Sequence, residues 1–159
     1  MKNKPTIIIA GEPNSIFLEI FFKSIKSKKY KNPLILICSL EILKIQMKKF
    51  GFKKKIKILD PLNIYNCDLN NSSINLINIK YNFNFSFSHI TNKSNDYIKR
   101  SFDIAFKIIK LGITDKLING PISKKNFLNK KFLGITEYIA HEFSIKKSAM
   151  LIYNKNLSV

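Results

Sequence analysis

The first sixty residues alternate uninterrupted apolar runs with amphipathic stretches, and that alternation limits the fold more than any other feature of the chain. Thr6-Ile7-Ile8-Ile9-Ala10 and Leu34-Ile35-Leu36-Ile37-Cys38 are continuous and rich in β-branched residues, as strands covered on both faces must be. Between and after them, Ile16–Ile25 carries Phe17, Ile20, Phe21 and Ile25 at helical spacing, and Leu40, Leu43 and Met47 share a face before Phe50. Asn14 or Ser15 can cap the first helix and Ser39 the second, and Gly51 stands where a left-handed residue ends a helix. Ile56–Leu59 supplies a third strand. Strand, helix, strand, helix, strand predicts parallel pairing with right-handed crossovers, and so an α/β fold with a mostly parallel sheet and helices on both faces.

Beyond Ser73 the pattern loosens. Ile74–Ile79 and Phe83–Phe87 partly alternate apolar with polar residues, as half-exposed strands do, and could form a hairpin or meander attached to the core. Aromatic alternation can also mark a base-stacking surface, but phenylalanine on one strand face is the ordinary content of a core. The longest helix starts at Thr91 or Ser94, carries Ile98, Phe102, Ala105, Ile108 and Ile109 as one stripe, and stops at Gly112. Leu117-Ile118 then reads as a strand that breaks at Asn119-Gly120-Pro121. Ser123 can cap a short helix holding Lys124 and Lys125. A second corner at Gly134 opens another helix, with Thr136 at or near its cap, running through Phe143. Ala149–Tyr153 reads as a further buried strand, and Leu157-Ser158-Val159 as the start of one more.

Composition excludes more than it selects. A formal charge of +18 suggests a polyanion partner, yet Arg100 is the only arginine among 28 basic residues. Bidentate recognition of phosphates and bases depends on arginine. Lysine, asparagine and isoleucine recur in loops and on both sides of strands alike, which points to biased codon usage rather than to a selected patch. Cys38 and Cys67 form no disulfide or zinc pattern, and His89 and His141 have no second ligand at metal spacing. No apolar run is long enough to cross a bilayer, and Met1-Lys2-Asn3-Lys4 leads directly into a strand rather than a signal peptide, so a cytoplasmic location is expected. The Gly11-Glu12-Pro13 corner is not a dinucleotide fingerprint: it has one glycine, and Glu12 would repel a diphosphate.

The two corners admit a bland reading, as a turn and an ordinary cap, and a functional one, as an anion pocket at strand ends. The segment Asn119-Gly120-Pro121-Ile122-Ser123-Lys124, followed by Gly134-Ile135-Thr136-Glu137-Tyr138, resembles the 4-hydroxythreonine-4-phosphate dehydrogenase family of vitamin B6 biosynthesis. In that family a Gly-Pro or Ala-Pro corner has a lysine three residues after the proline, and a Gly-His-Thr-Glu motif follows. Ala10-Gly11-Glu12-Pro13-Asn14-Ser15-Ile16 is similar to the family's amino-terminal Gly-Asp/Glu-Pro motif. Where the family has histidine, this chain has Ile135.

The resemblance implies an isocitrate/isopropylmalate dehydrogenase-like fold. It also implies NAD-dependent, metal-dependent oxidation and decarboxylation of 4-(phosphooxy)-L-threonine, and a homodimer when full length. Thr136 then stands at a substrate-contacting position, Lys124 at one that brings positive charge, and Ile135 at one that has lost a polar contact. The family uses zinc, magnesium or cobalt, and its metal-binding histidines and most nicotinamide contacts match positions beyond Val159. The chain is therefore expected to be a single α/β domain (residues 1–159) from the amino-terminal part of a two-domain enzyme, with no metal ligand and no identifiable catalytic residue of its own. The expected partner is a small phosphorylated substrate, without specific nucleic acid or membrane. A short non-catalytic anion-binding module and a nucleic-acid-associated basic protein remain as alternatives.

Overall fold

The computed structural model describes residues 4–81, 94–128 and 131–151, and the backbone of 153–154 and 157–158. It divides into two compact units, Met1–Ile122 and Ser123–Val159.

In the first unit, β1 (Thr6–Ile9), β2 (Leu34–Cys38), β3 (Ile56–Ile58), β4 (Ile74–Asn78) and β5 (Leu117–Asn119) form one sheet in the order β3-β4-β2-β1-β5. Every pairing in it is parallel. Three helices connect these strands: α1 (Phe17–Ser27), α2 (Leu40–Lys49) and α3 (Asn95–Lys110). Ile8, Leu36 and Leu76 lie in one cluster with Leu18, Phe21 and Phe22 of α1 and Ile42 and Leu43 of α2. The alternate residues Ile7, Ile9, Ile35, Ile37 and Ile77, all buried, point to the opposite face. There α3 lies beside β1 and β2 and buries Ile98, Phe102, Ala105, Phe106 and Ile108. The sheet is thus covered on both faces, as the continuous apolar runs require.

Local signals operate much as the residues suggest. Ser39 Oγ accepts from the Ile42 N–H at the start of α2. Ser15 Oγ accepts from the Phe17 N–H at 3.3 Å, although Ile16 holds the cap position. Gly51 and Gly112 both end their helices with φ near +60° and +76°.

The loosely alternating segment is where expectation and structure part. β4 is not a half-exposed strand of a hairpin; it lies between β2 and β3, parallel to both, and Ile74 through Ile77 are buried. Its asparagines serve as anchors. Asn75 Nδ2 donates to the carbonyls of Leu34 and Asn70, and Asn78 Oδ1 accepts from the Leu40 N–H at 2.9 Å. A polar residue whose donors are satisfied in this way can occupy an interior strand. Phe83–Phe87, Thr91 and His89 lie outside the described residues.

β1 and β5 leave the sheet side by side, and their corners interlock. The Gly120 N–H donates to the Ile9 carbonyl at 2.7 Å, and the Glu12 N–H to the Pro121 carbonyl at 2.8 Å. Gly11 has φ of +74°, and a Cβ placed on it would lie 2.3 Å from the Pro121 oxygen. A Cβ on Gly120 would lie 2.2 Å from the Ala10 oxygen. Both corners therefore need glycine, for space at Gly120 and for space and backbone angle at Gly11.

In the second unit a single π-helical turn (Lys124–Leu128) precedes α4 (Ile135–Glu142), and β6 (Tyr153–Asn154) pairs antiparallel with β7 (Leu157–Ser158). The buried strand expected at Ala149–Tyr153 is not formed as such. Met150 and Leu151 are exposed and outside any strand, and only Tyr153 and Asn154 enter the ladder. A two-residue ladder orders too little backbone to extend a strand through 149–151.

Gly11→Ala and Gly120→Ala should each destabilise the chain by about 3 kcal/mol or more, because backbone atoms cannot yield to a Cβ at such distances. Gly51→Ala, with open space around it, should cost only about 1 kcal/mol, its left-handed backbone alone. Urea denaturation of the three variants checks the ranking; equal losses would contradict the interlock.

Two buried groups make stability depend on alkaline pH. Burial pushes the Cys38 thiol far above its ordinary range. The Tyr97 hydroxyl is likewise raised well above its ordinary value, by burial first and then by Cys38 and Tyr81, with a backbone hydrogen bond from Ser39 and the Arg100 charge acting against the shift. Above about pH 8.5 the unfolded chain loses the thiol proton and the folded chain keeps it. The folded state then binds more protons, so stability falls as pH rises. The urea midpoint should drop between pH 8 and pH 10, and Cys38→Ala should flatten the early part of that drop.

Candidate functional site

In a parallel sheet the backbone donors left free at strand ends, and the helices that follow, gather at the carboxyl edge. The strand order places a switch point there. From β1 the chain passes over one face, by α1, to β2; from β4 it passes over the other face, by α3, to β5 on the far side of β1. β1 and β5 meet at that edge through Gly11-Glu12-Pro13 and Gly120-Pro121, two segments singled out by the sequence. β1 contributes its corner because the apolar run ends at Ala10, and β5 because Pro121 has no N–H to continue a ladder.

At this corner Glu12 is 2% exposed, and its Oε2 accepts from the Ser94 hydroxyl at 2.8 Å. Ser94, expected as the cap of α3, makes no cap hydrogen bond. Its hydroxyl instead ties the start of α3 to the β1 corner. Nearby, Tyr97 accepts from the Ser39 N–H at 3.2 Å, and the rings of Tyr81 and Tyr97 stand 5.0 Å apart. Burial, and secondly the Glu12 charge, raise the Tyr81 hydroxyl above its usual value. A carboxylate between Gly11 and Pro13 directly after an apolar strand was the only sequence signal of this pair, and its partner lies 82 residues away. The corner's amides are also committed: those of Glu12 and Gly120 bond to the opposite corner. The arrangement is a rigid, buried polar joint rather than an open phosphate cradle.

The three residues expected to bind substrate, Lys124, Ile135 and Thr136, lie in the second unit. Lys124 opens the π-helical turn and is exposed. The turn is held by Ser123, whose Oγ accepts from the Asn126 N–H at 3.2 Å, as its position suggests. Ile135 and Thr136 are the first two residues of α4 and are half-buried. Gly134 holds the cap position, and no side chain caps the helix. Thr136 is thus inside the first turn rather than at the cap. Nor does the Gly134 corner follow a strand; it follows a turn after the π-helical segment.

The two helical pieces are joined by rings. Tyr138, buried, meets Phe127 and Phe132 edge-on, each with centroids 5.5 Å apart. Phe132 also meets the ring of His141, which is otherwise solvent-facing. An uncapped helix start carries unpaired N–H groups and partial positive charge. Glu137 already leans on it: a Cβ on Gly134 would lie 2.9 Å from its Oε2. The first turn of α4 therefore offers amides and the Thr136 hydroxyl to an anion, with the native Glu137 carboxylate as a competitor.

Among the described residues no three of His, Cys, Asp and Glu stand together as a metal site would require, and no helix is long and apolar enough to cross a membrane. A cavity of about 560 Å³ opens elsewhere, at the amino edge of the sheet.

The profile of the pyridoxal phosphate biosynthetic protein PdxA matches residues 20–159. No curated protein matches the chain. Solved structures do. A 4-hydroxythreonine-4-phosphate dehydrogenase from Burkholderia phymatum superposes with a TM-score of 0.78 at 18% identity, over 97% of this chain and 48% of that one. A 4-hydroxythreonine-4-phosphate dehydrogenase from Klebsiella pneumoniae superposes with a TM-score of 0.80 at 18% identity, over 98% of this chain and 48% of that one. At such identity the likeness is one of fold, and the chain spans about half the length of each. With the profile covering nearly all of the sequence, and with the α/β fold of those dehydrogenases, the chain belongs to the PdxA family of pyridoxal phosphate biosynthesis.

Proposed function

We propose that this chain is the amino-terminal, substrate-holding part of an enzyme that oxidises 4-(phosphooxy)-L-threonine in pyridoxal 5′-phosphate synthesis, with NAD as oxidant and a divalent metal (zinc, magnesium or cobalt). The family match over residues 20–159 carries the reading, and the polar first turn of α4 supports it. In this reading the Thr136 hydroxyl and the first amides of α4 receive the substrate's phosphate or carboxylate, and Lys124 adds positive charge. Ile135 supplies packing where a polar contact would otherwise stand. The full-length protein works in the cytoplasm as a homodimer, without a specific nucleic-acid partner.

The described residues do not fit the two cofactors. They hold no cluster of metal-ligating side chains, and at the β1 and β5 corners the Glu12 and Gly120 amides are spent on backbone partners. No hydride-transfer or decarboxylation step is therefore assigned to them. What these residues can do is bind and orient an anion. The same observation favours a second reading, a non-catalytic anion-binding module.

The isolated chain should show no turnover of 4-(phosphooxy)-L-threonine with NAD and metal; measurable turnover would overturn this assignment. It should bind inorganic phosphate weakly, observed as amide shifts at Ile135 and Thr136. Thr136→Ala should weaken that binding by about three- to tenfold, as loss of one hydrogen bond to an anion does. Glu137→Gln should strengthen it by about as much, since a carboxylate at the helix start competes with the ligand. Unchanged binding in both variants would remove α4 from the site. Joining the chain to the carboxyl-terminal half of a PdxA relative separates the two readings, because only the enzyme reading expects activity to appear.

A further inference from the structure

We propose that the first unit carries a second ligand site, at the amino edge of the sheet, for a small flat apolar molecule bearing a phosphate or similar anionic group. The cavity there has a volume of about 560 Å³, within the range of small-molecule sites. It lies where β2 and β4 begin, at Leu34 and Ile74, and is therefore at the opposite edge of the sheet from the Gly11 and Gly120 corners. The inference does not rest on the dehydrogenase reading.

Three observations shape the ligand. The floor is apolar: Phe21 and Ile25 of α1 meet Leu34, Leu36 and Ile74 of the sheet. Such a floor suits a ring or a short hydrocarbon body. The rim is cationic, with Lys26, Lys28, Lys29 and Lys54 and no acidic residue among the lining side chains. Lysine is abundant throughout this chain, so its presence alone says little. Its convergence from two separate segments, around an apolar floor and with no carboxylate to neutralise it, says more. Lys26 and Lys28 also offset the negative end of α1, which finishes at Ser27.

The mouth is built rather than incidental. Asn71 accepts from the Leu34 N–H and donates to the carbonyls of Tyr30 and Asn32, all at 2.9 Å. Asn75 donates to the carbonyls of Leu34 and Asn70. The Tyr30 hydroxyl bonds to that of Ser24. Two asparagines therefore clamp the loop after α1 against the loop before β4, and so hold the cavity in shape before any ligand arrives. Asn75 is 1% exposed, and its Oδ1 has no hydrogen-bond partner among the described residues. That oxygen is out of reach of a ligand in the cavity, so Asn75 serves the site through its donors alone.

Isothermal titration of the whole chain with phenyl phosphate and with inorganic phosphate tests the site. Phenyl phosphate should bind one per chain and about tenfold more tightly than inorganic phosphate, because only the former covers the apolar floor. The double variant Lys28→Glu, Lys54→Glu should weaken phenyl phosphate by about tenfold or more. Lys44→Glu, Lys107→Glu, the same charge change at exposed positions outside the cavity, should leave it within about twofold. Lys28→Gln, Lys54→Gln provides the same comparison should the Glu variant fail to fold. Equal weakening by both charge-reversal pairs would reduce the effect to net charge and overturn the proposal. So would equal affinities for the two phosphates. Loss of phenyl phosphate binding on Thr136→Ala, with the lysine variants unaffected, would move the ligand to α4; this inference would then fail while the substrate-site reading stood.

Discussion

Two backbone corners approach each other where β1 and β5 leave the sheet, and the arrangement of the first unit depends on that approach. At Gly11 and Gly120 the main chains come within distances that no Cβ could share, and each corner donates an amide to the other side. The contact fixes β5 against β1 across a long connection that passes through β2, β3, β4 and α3. Loop closure over such a span costs entropy that only cooperative, well-formed contacts can offset. The buried bond from Ser94 to Glu12 adds a third tie, from the start of α3 to the same corner. A carboxylate with so little exposure is tolerable only because it is hydrogen-bonded.

This economy has a chemical consequence. Amides spent on holding two corners together are not available to a phosphate, so the switch point of this sheet is occupied by its own backbone. Uncommitted amides at a helix start lie instead in the second unit, at the uncapped start of α4. A charge of +18 need not signify a nucleic-acid partner: the lysines are spread over both units, and four of them line the amino-edge cavity beside an apolar surface.

Much of the architecture was legible in the chain because its signals are local. β-Branched runs define β1, β2 and β3 to within a residue or so of their ends. Ser39, Gly51 and Gly112 act where their chemistry says they should. The misreadings fell where burial depends on distant partners. Asn75 looked like part of an exposed face of β4, yet it is buried and donates to the carbonyl of Leu34 in β2. Met150 and Leu151 looked like a buried strand, yet too little of a ladder forms beside them.

By itself, the sequence determined the α/β class, the parallel sheet, the presence and approximate extent of the helices and the segments that resemble the PdxA family, because spacing, propensity and turn chemistry act over a few residues. Tertiary structure decided the rest: the insertion of β4 between β2 and β3, the interlocked glycines, the buried Glu12–Ser94 pair, the uncapped start of α4 and the asparagine-clamped cavity. Each of these arises from groups brought together from distant parts of the chain, and their energies follow from distance and exclusion of water, which a linear order of residues does not contain.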